Sequence, residues 1–259
     1  MKNILKINHK MIKALFTLIL LLLSSLIFAQ KIKLNTVDFE LKPEEIAKIN
    51  RIVSYETKIF NGLYDNLIND TLQLNINLYS KYKNFRSALE QYGMKGFTES
   101  GFYSSTTDQS FIYYEGIENL QTVLHETSHA LLKNNSRYYP RWFTEGLAEF
   151  LETLEEKHFS IQIVAQFDRL ERMKYDYQKQ EKLNLLKYIS NNEGWRDKGK
   201  LEYMYTTSYS IIFYLYKKDP QFISKMAQMY RKGYSQEKIF STLFGSVSNF
   251  ENGFNLYYR

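Results

Sequence analysis

The stretch His125-Glu126-Thr127-Ser128-His129, followed by Trp142-Phe143-Thr144-Glu145-Gly146-Leu147-Ala148-Glu149-Phe150, decides how this chain of 259 residues is read. Residues four apart share one face of an α-helix, so His125 and His129 can aim a ring nitrogen at one point while Glu126 projects beside them. Leu120, Val123, Leu124, Thr127 and Leu131 predict a buried face on a helix from about Glu118 to Lys133, with the histidines on the other side. Asn134-Asn135-Ser136 ends it. Pro140 then precedes a second helix, Trp142 to Leu154, that carries Glu145, Glu149 and Glu152.

Two imidazoles at this spacing plus a carboxylate from the second helix give three ligands and leave a fourth position for water, the arrangement of a catalytic zinc ion. One Zn2+ is expected. The metal would acidify its water to a pKa of roughly 7, and Glu126 would take that proton and return it to the leaving group. A metzincin continuation needs Gly and His where this chain has Leu132 and Asn135, so that class is excluded. His158 lies past the second helix and is expected on the surface. Glu145 is the leading third ligand. Glu149, one turn later, is expected to accept a hydrogen bond from a ligand imidazole, with Glu152 and Glu156 solvated.

His-Glu-x-x-His followed by Trp-x-x-Glu-Gly-x-Ala-Glu-Phe resembles the gluzincin clan of metallopeptidases, in particular the secreted bacterial peptidase MA-like families, and shares a skeleton with the M1-type aminopeptidases. The resemblance covers roughly Phe97 to the C-terminus, with the strong motifs at 125–129 and 142–150. It implies a thermolysin-like α+β fold, mostly helical, with a small N-terminal sheet lobe, a helical C-terminal lobe and the active site between them. It further implies that Glu145 is the third zinc ligand, that the activity is peptide-bond hydrolysis, and that a tyrosine on the helix containing Tyr203 to Leu215 stabilises the oxyanion. Tyr205 matches best, with Tyr209 as the alternative. The run Phe111-Ile112-Tyr113-Tyr114 is expected to be an edge strand beside the cleft that pairs with an extended substrate. The connection from His129 to Glu145 is shorter than in the aminopeptidases, and no exopeptidase motif for a substrate amino terminus is found. Two other readings stay open: a non-catalytic peptide-binding or envelope-assembly protein with the same zinc fold, and a purely structural helix pair.

Lys2, Lys6, Lys10 and Lys13 lead into an apolar run from Ala14 to Leu23, shorter than the roughly 20 residues of a membrane span, and small residues follow. Residues 1–29 therefore read as a signal peptide, with export to the periplasm or outside the cell. An uncleaved anchor is the competing reading, and the membrane is otherwise not an expected partner. Without those four lysines the formal charge falls from +6 to +2, so nucleic acid is not expected as a partner; a peptide or protein substrate is. With no Cys in the chain, packing must hold the fold, with or without help from a metal, and any metal ligands come from His, Asp, Glu or Tyr.

An α/β lobe is expected over 30–116 and a helical lobe over 117–259. No periodicity is evident between Gln30 and Glu40. Pro43-Glu44-Glu45 opens a helix with a proline at its first position and acids in its first turn. Leu72, Leu74, Ile76 and Leu78 alternate with polar residues as a strand with one buried face. A helix from Asn84 to Tyr92 and a strand from Ser110 to Tyr114 follow. From Ile117 onward the chain reads as almost wholly helical, with further helices over 163–177, 183–189, 203–217, 220–231, 235–244 and 247–257, the last capped by Ser248 and Glu251.

Overall fold

A computed structural model describes residues 31–93, 100–136, 138–158, 160–179 and 184–259, with the side chains of 176–179 not described. The chain is α+β. The signal-peptide reading of residues 1–29 lies outside the described residues. No described helix is long and apolar enough to cross a membrane.

Three parallel strands organise the N-terminal part. They are β1 (Lys31–Val37), β2 (Gln73–Tyr79) and β4 (Gln109–Tyr113), with β3 (Gly101–Ser104) added antiparallel beside β4, giving the order β1-β2-β4-β3. The crossover from β1 to β2 is α1 (Pro43–Tyr64), opened by Pro43 and acidic in its first turn. The crossover from β2 contains α2 (Tyr82–Gln91). Leu74, Ile76 and Leu78 of β2 are buried against Ile49, Ile52 and Val53 of α1, as the period-two pattern predicts. On the other face Phe85 and Leu89 of α2 close over Phe102 and Phe111. Beyond α2's reach that face is polar: Asn35 Nδ2 donates to Asn77 Oδ1 at 3.1 Å, and Asn77 Nδ2 donates to Gln109 Oε1 at 3.1 Å.

β1 was not legible as a strand. Its Ile32 and Leu34 are only half-buried at the sheet's margin, so the alternation Lys-Ile-Lys-Leu is weak before Asn35 and Thr36 interrupt it. The edge-strand expectation for Phe111, Ile112 and Tyr113 is overturned. β4 pairs with β2 on one side, through Phe111 and Asn77, and with β3 on the other, through Phe111 and Phe102. Phe111 and Ile112 are buried, which explains why the run is so apolar.

α3 (Leu120–Asn135) and α4 (Arg141–Leu151) follow the sheet, close to the expected spans. α3 joins two cores. Leu120, Val123 and Leu124 pack with the sheet and α1, while Leu131 and Leu132 pack into the helical part with Trp142 and Phe143 of α4. The almost wholly helical expectation assigns no element between Leu154 and Ile163, and there β5 (Leu154–Lys157) and β6 (Ser160–Ile163) form an antiparallel hairpin. His158 sits exposed at its turn with φ of +47°. The remaining helices are α5 (Phe167–Lys179), α6 (Leu185–Ile189), α7 (Leu201–Lys218), α8 (Gln221–Arg231), α9 (Gln236–Phe244) and α10 (Val247–Tyr257). The cap of α10 is Ser246, whose side chain accepts from the Asn249 backbone, rather than Ser248. Glu251 instead accepts a hydrogen bond from the Leu185 amide at 2.6 Å and ties α10 to α6.

Gly146 governs how α4 meets α7. A Cβ at that position would lie 2.7 Å from the Ser208 carbonyl oxygen, so the two helix backbones are in direct contact and only glycine fits. That close approach carries Tyr205 and Tyr209 of α7 up to the glutamates of α4.

Candidate metal centre

His125 and His129 sit one turn apart on α3, their ring centroids 5.0 Å apart. Glu145 Oε2 from α4 lies 3.6 Å from His125 Nε2 and 3.5 Å from His129 Nε2. A tetrahedral ion with bonds of about 2.0–2.1 Å spaces its ligands by about 3.4 Å, so both of these separations fit a small divalent cation, and the three ligand atoms all lie within 4.8 Å of one another. Two imidazole nitrogens and one carboxylate oxygen, without sulfur, suit a first-row metal of zinc's kind. All three residues are half-buried or buried, on a site walled by α3 and α4.

The other nitrogen of His125 is held by a residue expected to be solvated. Glu152 Oε2 lies 2.8 Å from His125 Nδ1, and Gln166 Nε2 in turn donates to Glu152 Oε1 at 3.0 Å. In the neutral tautomer that donates Nδ1–H to Glu152, Nε2 carries the lone pair that a metal on the Glu145 side would take. Glu149, the expected partner of a ligand imidazole, stands 3.9 Å from His125 Nδ1, beyond hydrogen-bond range. It faces Arg169 of α5 at 2.5 Å, an ion pair without the alignment of a hydrogen bond at Oε2. Burial, reinforced by the Glu152 charge and opposed by Arg169, pushes the Glu149 carboxyl up to about 7. Glu156 is in β5, away from these acids, and makes a two-point pair with Arg51 near the surface.

The charges of the cluster answer one another. Burial works to lower the His125 pKa, but the carboxylates of Glu145 and Glu152 and the field of Glu126 prevail and raise it well above the ordinary range. Burial would lift Glu145, yet the two imidazoles hold it well below. Glu126, buried beside them, is raised by burial, with the histidines pulling the other way.

β3 runs alongside Glu126. A Cβ at Gly101 would stand 2.6 Å from Thr122 Cγ2 and 3.1 Å from Glu126 Oε1, so the absent side chain is what lets this strand approach the acid. The strand next to the site is thus β3, with β4 behind it. Behind α3, Ser128 Oγ donates to Glu56 Oε1 of α1 at 2.5 Å, and Glu56 is wholly buried with its Oε2 unpartnered. Burial pushes this carboxyl well above the usual carboxylate range.

The two candidate tyrosines separate clearly. Tyr209 is fully buried and its hydroxyl accepts from the Gln166 amide at 2.8 Å. Tyr205 is half-buried, and its phenol, raised by burial, also feels the charges of Glu145, Arg141, Glu149 and Glu126. Its ring meets Trp195 edge-on at 5.3 Å, and the Arg141 guanidinium lies 4.9 Å from the centroid of that indole. Arg141 Nε donates to Glu145 Oε1 at 3.2 Å, the oxygen turned away from the histidines.

Sequence reading brought His125, Glu126, His129, Glu145 and Tyr205 together. It missed Glu152, although seven residues from Glu145 is again the same helix face, and it missed Arg141, although a cation in the first turn of a helix is a wrong-signed charge worth noticing. Glu56, Gln166, Arg169 and Trp195 carried no local signal. Residues 119–236, from the start of α3 to the start of α9, match a family described only as a protein of unknown function (DUF1570). No curated protein matches the chain.

Proposed function

We propose that this protein is an exported zinc-dependent metallopeptidase of gluzincin type, with a thermolysin-like catalytic fold. The observation that carries the proposal is the convergence of three ligand atoms, Glu145 Oε2 standing 3.6 Å from His125 Nε2 and 3.5 Å from His129 Nε2, with the carboxylate of Glu126 beside them. His125, His129 and Glu145 would hold the ion. Bound there, zinc would supply Lewis-acid chemistry and bring the pKa of a coordinated water to about 7.

Glu126 then takes the proton from the attacking water and delivers it to the leaving amine. Burial raises its carboxyl pKa, with the two histidines opposing, and one such carboxyl beside the ligands can serve as base and then as acid. Tyr205 remains a neutral phenol and donates to the oxyanion as charge develops on the scissile carbonyl. An extended peptide would lie along β3, because Gly101 brings that strand against Glu126. Glu152 fixes the tautomer and ring plane of His125.

Metal analysis of the protein paired with Glu126→Gln tests the whole reading. Equimolar zinc, peptide cleavage by the native chain and zinc without cleavage in the variant are expected. Zinc with no cleavage of a broad peptide library by the native chain would make it a zinc-containing binder, and no zinc at micromolar supply would remove the site itself.

A further inference from the structure

Arg141 is the first residue of α4, where the helix dipole is positive and a cation is disfavoured, and no acid stands in that first turn to offset it. A local rule broken at a site edge asks for a functional reason. Its guanidinium uses Nε on Glu145 Oε1. Among the described residues its two terminal amino groups have no hydrogen-bond partner, and the side chain is 47% exposed. The fork is nevertheless not loose. It lies against Trp195, which is itself 5% exposed and braced edge-on by Tyr205. A cation stacked on a buried indole is held in one plane, and the unused edge of a planar guanidinium matches a carboxylate in two-point geometry. If charge balance for Glu145 were its only task, neither the support of Trp195 nor the exposed fork would be needed.

We propose that Arg141, supported by Trp195, is an anion-recognition subsite that selects peptides bearing a carboxylate next to the scissile bond, an inference that rests on the peptidase reading above. The carboxylate is either the peptide's C-terminus or an Asp or Glu side chain, and the test tells them apart. Two matched sets of quenched peptides are given to the zinc-loaded full chain: one differs only in C-terminal acid against amide, the other in Glu against Gln beside the candidate bond. In one set kcat/KM should favour the acid by about ten- to a hundredfold, the range of a charge-assisted two-point hydrogen bond. Arg141→Gln should bring that ratio close to one, and Arg141→Lys should restore part of it. Calorimetric titration of the metal-free chain with N-acetylated tripeptide acids and their amides gives a second readout that needs no catalysis. Tighter binding of the acids, lost in Arg141→Gln, supports the subsite even if no peptide is cleaved, in which case the peptidase reading alone falls. Equal handling of acid and neutral members in both cleavage and binding by the native chain overturns the subsite while leaving the peptidase reading standing wherever cleavage is seen.

Discussion

Glu152 Oε2 stands 2.8 Å from His125 Nδ1, while Glu149 Oε1, one turn earlier, stands 3.9 Å from the same atom. The residue that orients the first histidine is therefore the acid at the end of α4, where the chain is about to turn into β5. Removing an orienting carboxylate typically costs a metal site about ten- to a hundredfold in affinity. Glu152→Ala should show a loss of that size in chelator-competition titrations, and Glu149→Ala a smaller one. The reverse order would return the orienting role to Glu149. Glu145→Ala should exceed both and abolish stoichiometric binding.

Gly146 and Ser208 set the distance between α4 and α7. Because the atom that a new Cβ would meet at 2.7 Å is backbone, the clash cannot be relieved by rotating a side chain. Gly146→Ala should destabilise the fold by about 1–3 kcal/mol through overpacking. It should also lower kcat more than zinc affinity, since it displaces Tyr205 while leaving both histidines on α3. A thermal scan together with zinc titration reads both effects, and an unchanged melting temperature would show that the helices are not in contact there.

The histidine pair and the carboxylate that faces it were legible because each rests on a short-range rule: residues four apart on a helix, or a glutamate followed by the glycine that lets another helix approach, whereas Tyr205 was reached through the family resemblance alone. β2 was legible for the same reason, its alternation being uninterrupted from Leu72 to Leu78. What was not legible depended on partners far away in the chain. Phe111 to Tyr113 has the composition of a buried strand, but whether such a strand is central or at the edge depends on where β3 pairs, and the four residues of β3 carry no strong pattern. Glu152 looked solvated because its burial is created by Gln166 and by His125, 14 and 27 residues away. Glu56 looked like one more polar residue on α1, and only the packing of α3 makes it a buried acid.

Glu56 gives a pH dependence of unusual sign. Its folded pKa is raised well above that of the unfolded chain, so the fold favours the neutral form. Above the unfolded carboxylate range, near 4.5, the unfolded state releases this proton and the folded state does not. Stability from this group is therefore fully present at lower pH and declines as pH rises toward the folded pKa, at about 1.4 kcal/mol per pH unit between the two pKa values. Glu56→Gln keeps an oxygen to accept from Ser128 and removes the ionisation. It should raise the melting temperature at pH 7 and leave it nearly unchanged at pH 4. A variant less stable than the native chain at pH 7 would mean that Glu56 is ionised in the fold.

Tyr205 and Tyr209 lie one turn apart on α7 and should fail differently when their hydroxyls are removed. Tyr209 is committed to structure: its oxygen accepts from the Gln166 amide, and Tyr209→Phe would leave that half-buried donor unpaired at a cost of about 1 kcal/mol. Because Gln166 also holds Glu152, some loss of zinc affinity should accompany the drop in melting temperature. Tyr205 shares its electrostatic surroundings with Glu126 and Glu145, and its ring is already supported by Trp195. Tyr205→Phe should preserve the melting temperature and the zinc content, and lower kcat by about a hundred- to a thousandfold, the loss typical of one oxyanion donor. KM should change little, since the donor acts on charge that appears only in the transition state. If Tyr205→Phe keeps full kcat while Tyr209→Phe loses it with no loss of stability, the oxyanion donor is Tyr209, and the hydrogen bond to Gln166 must give way when substrate binds.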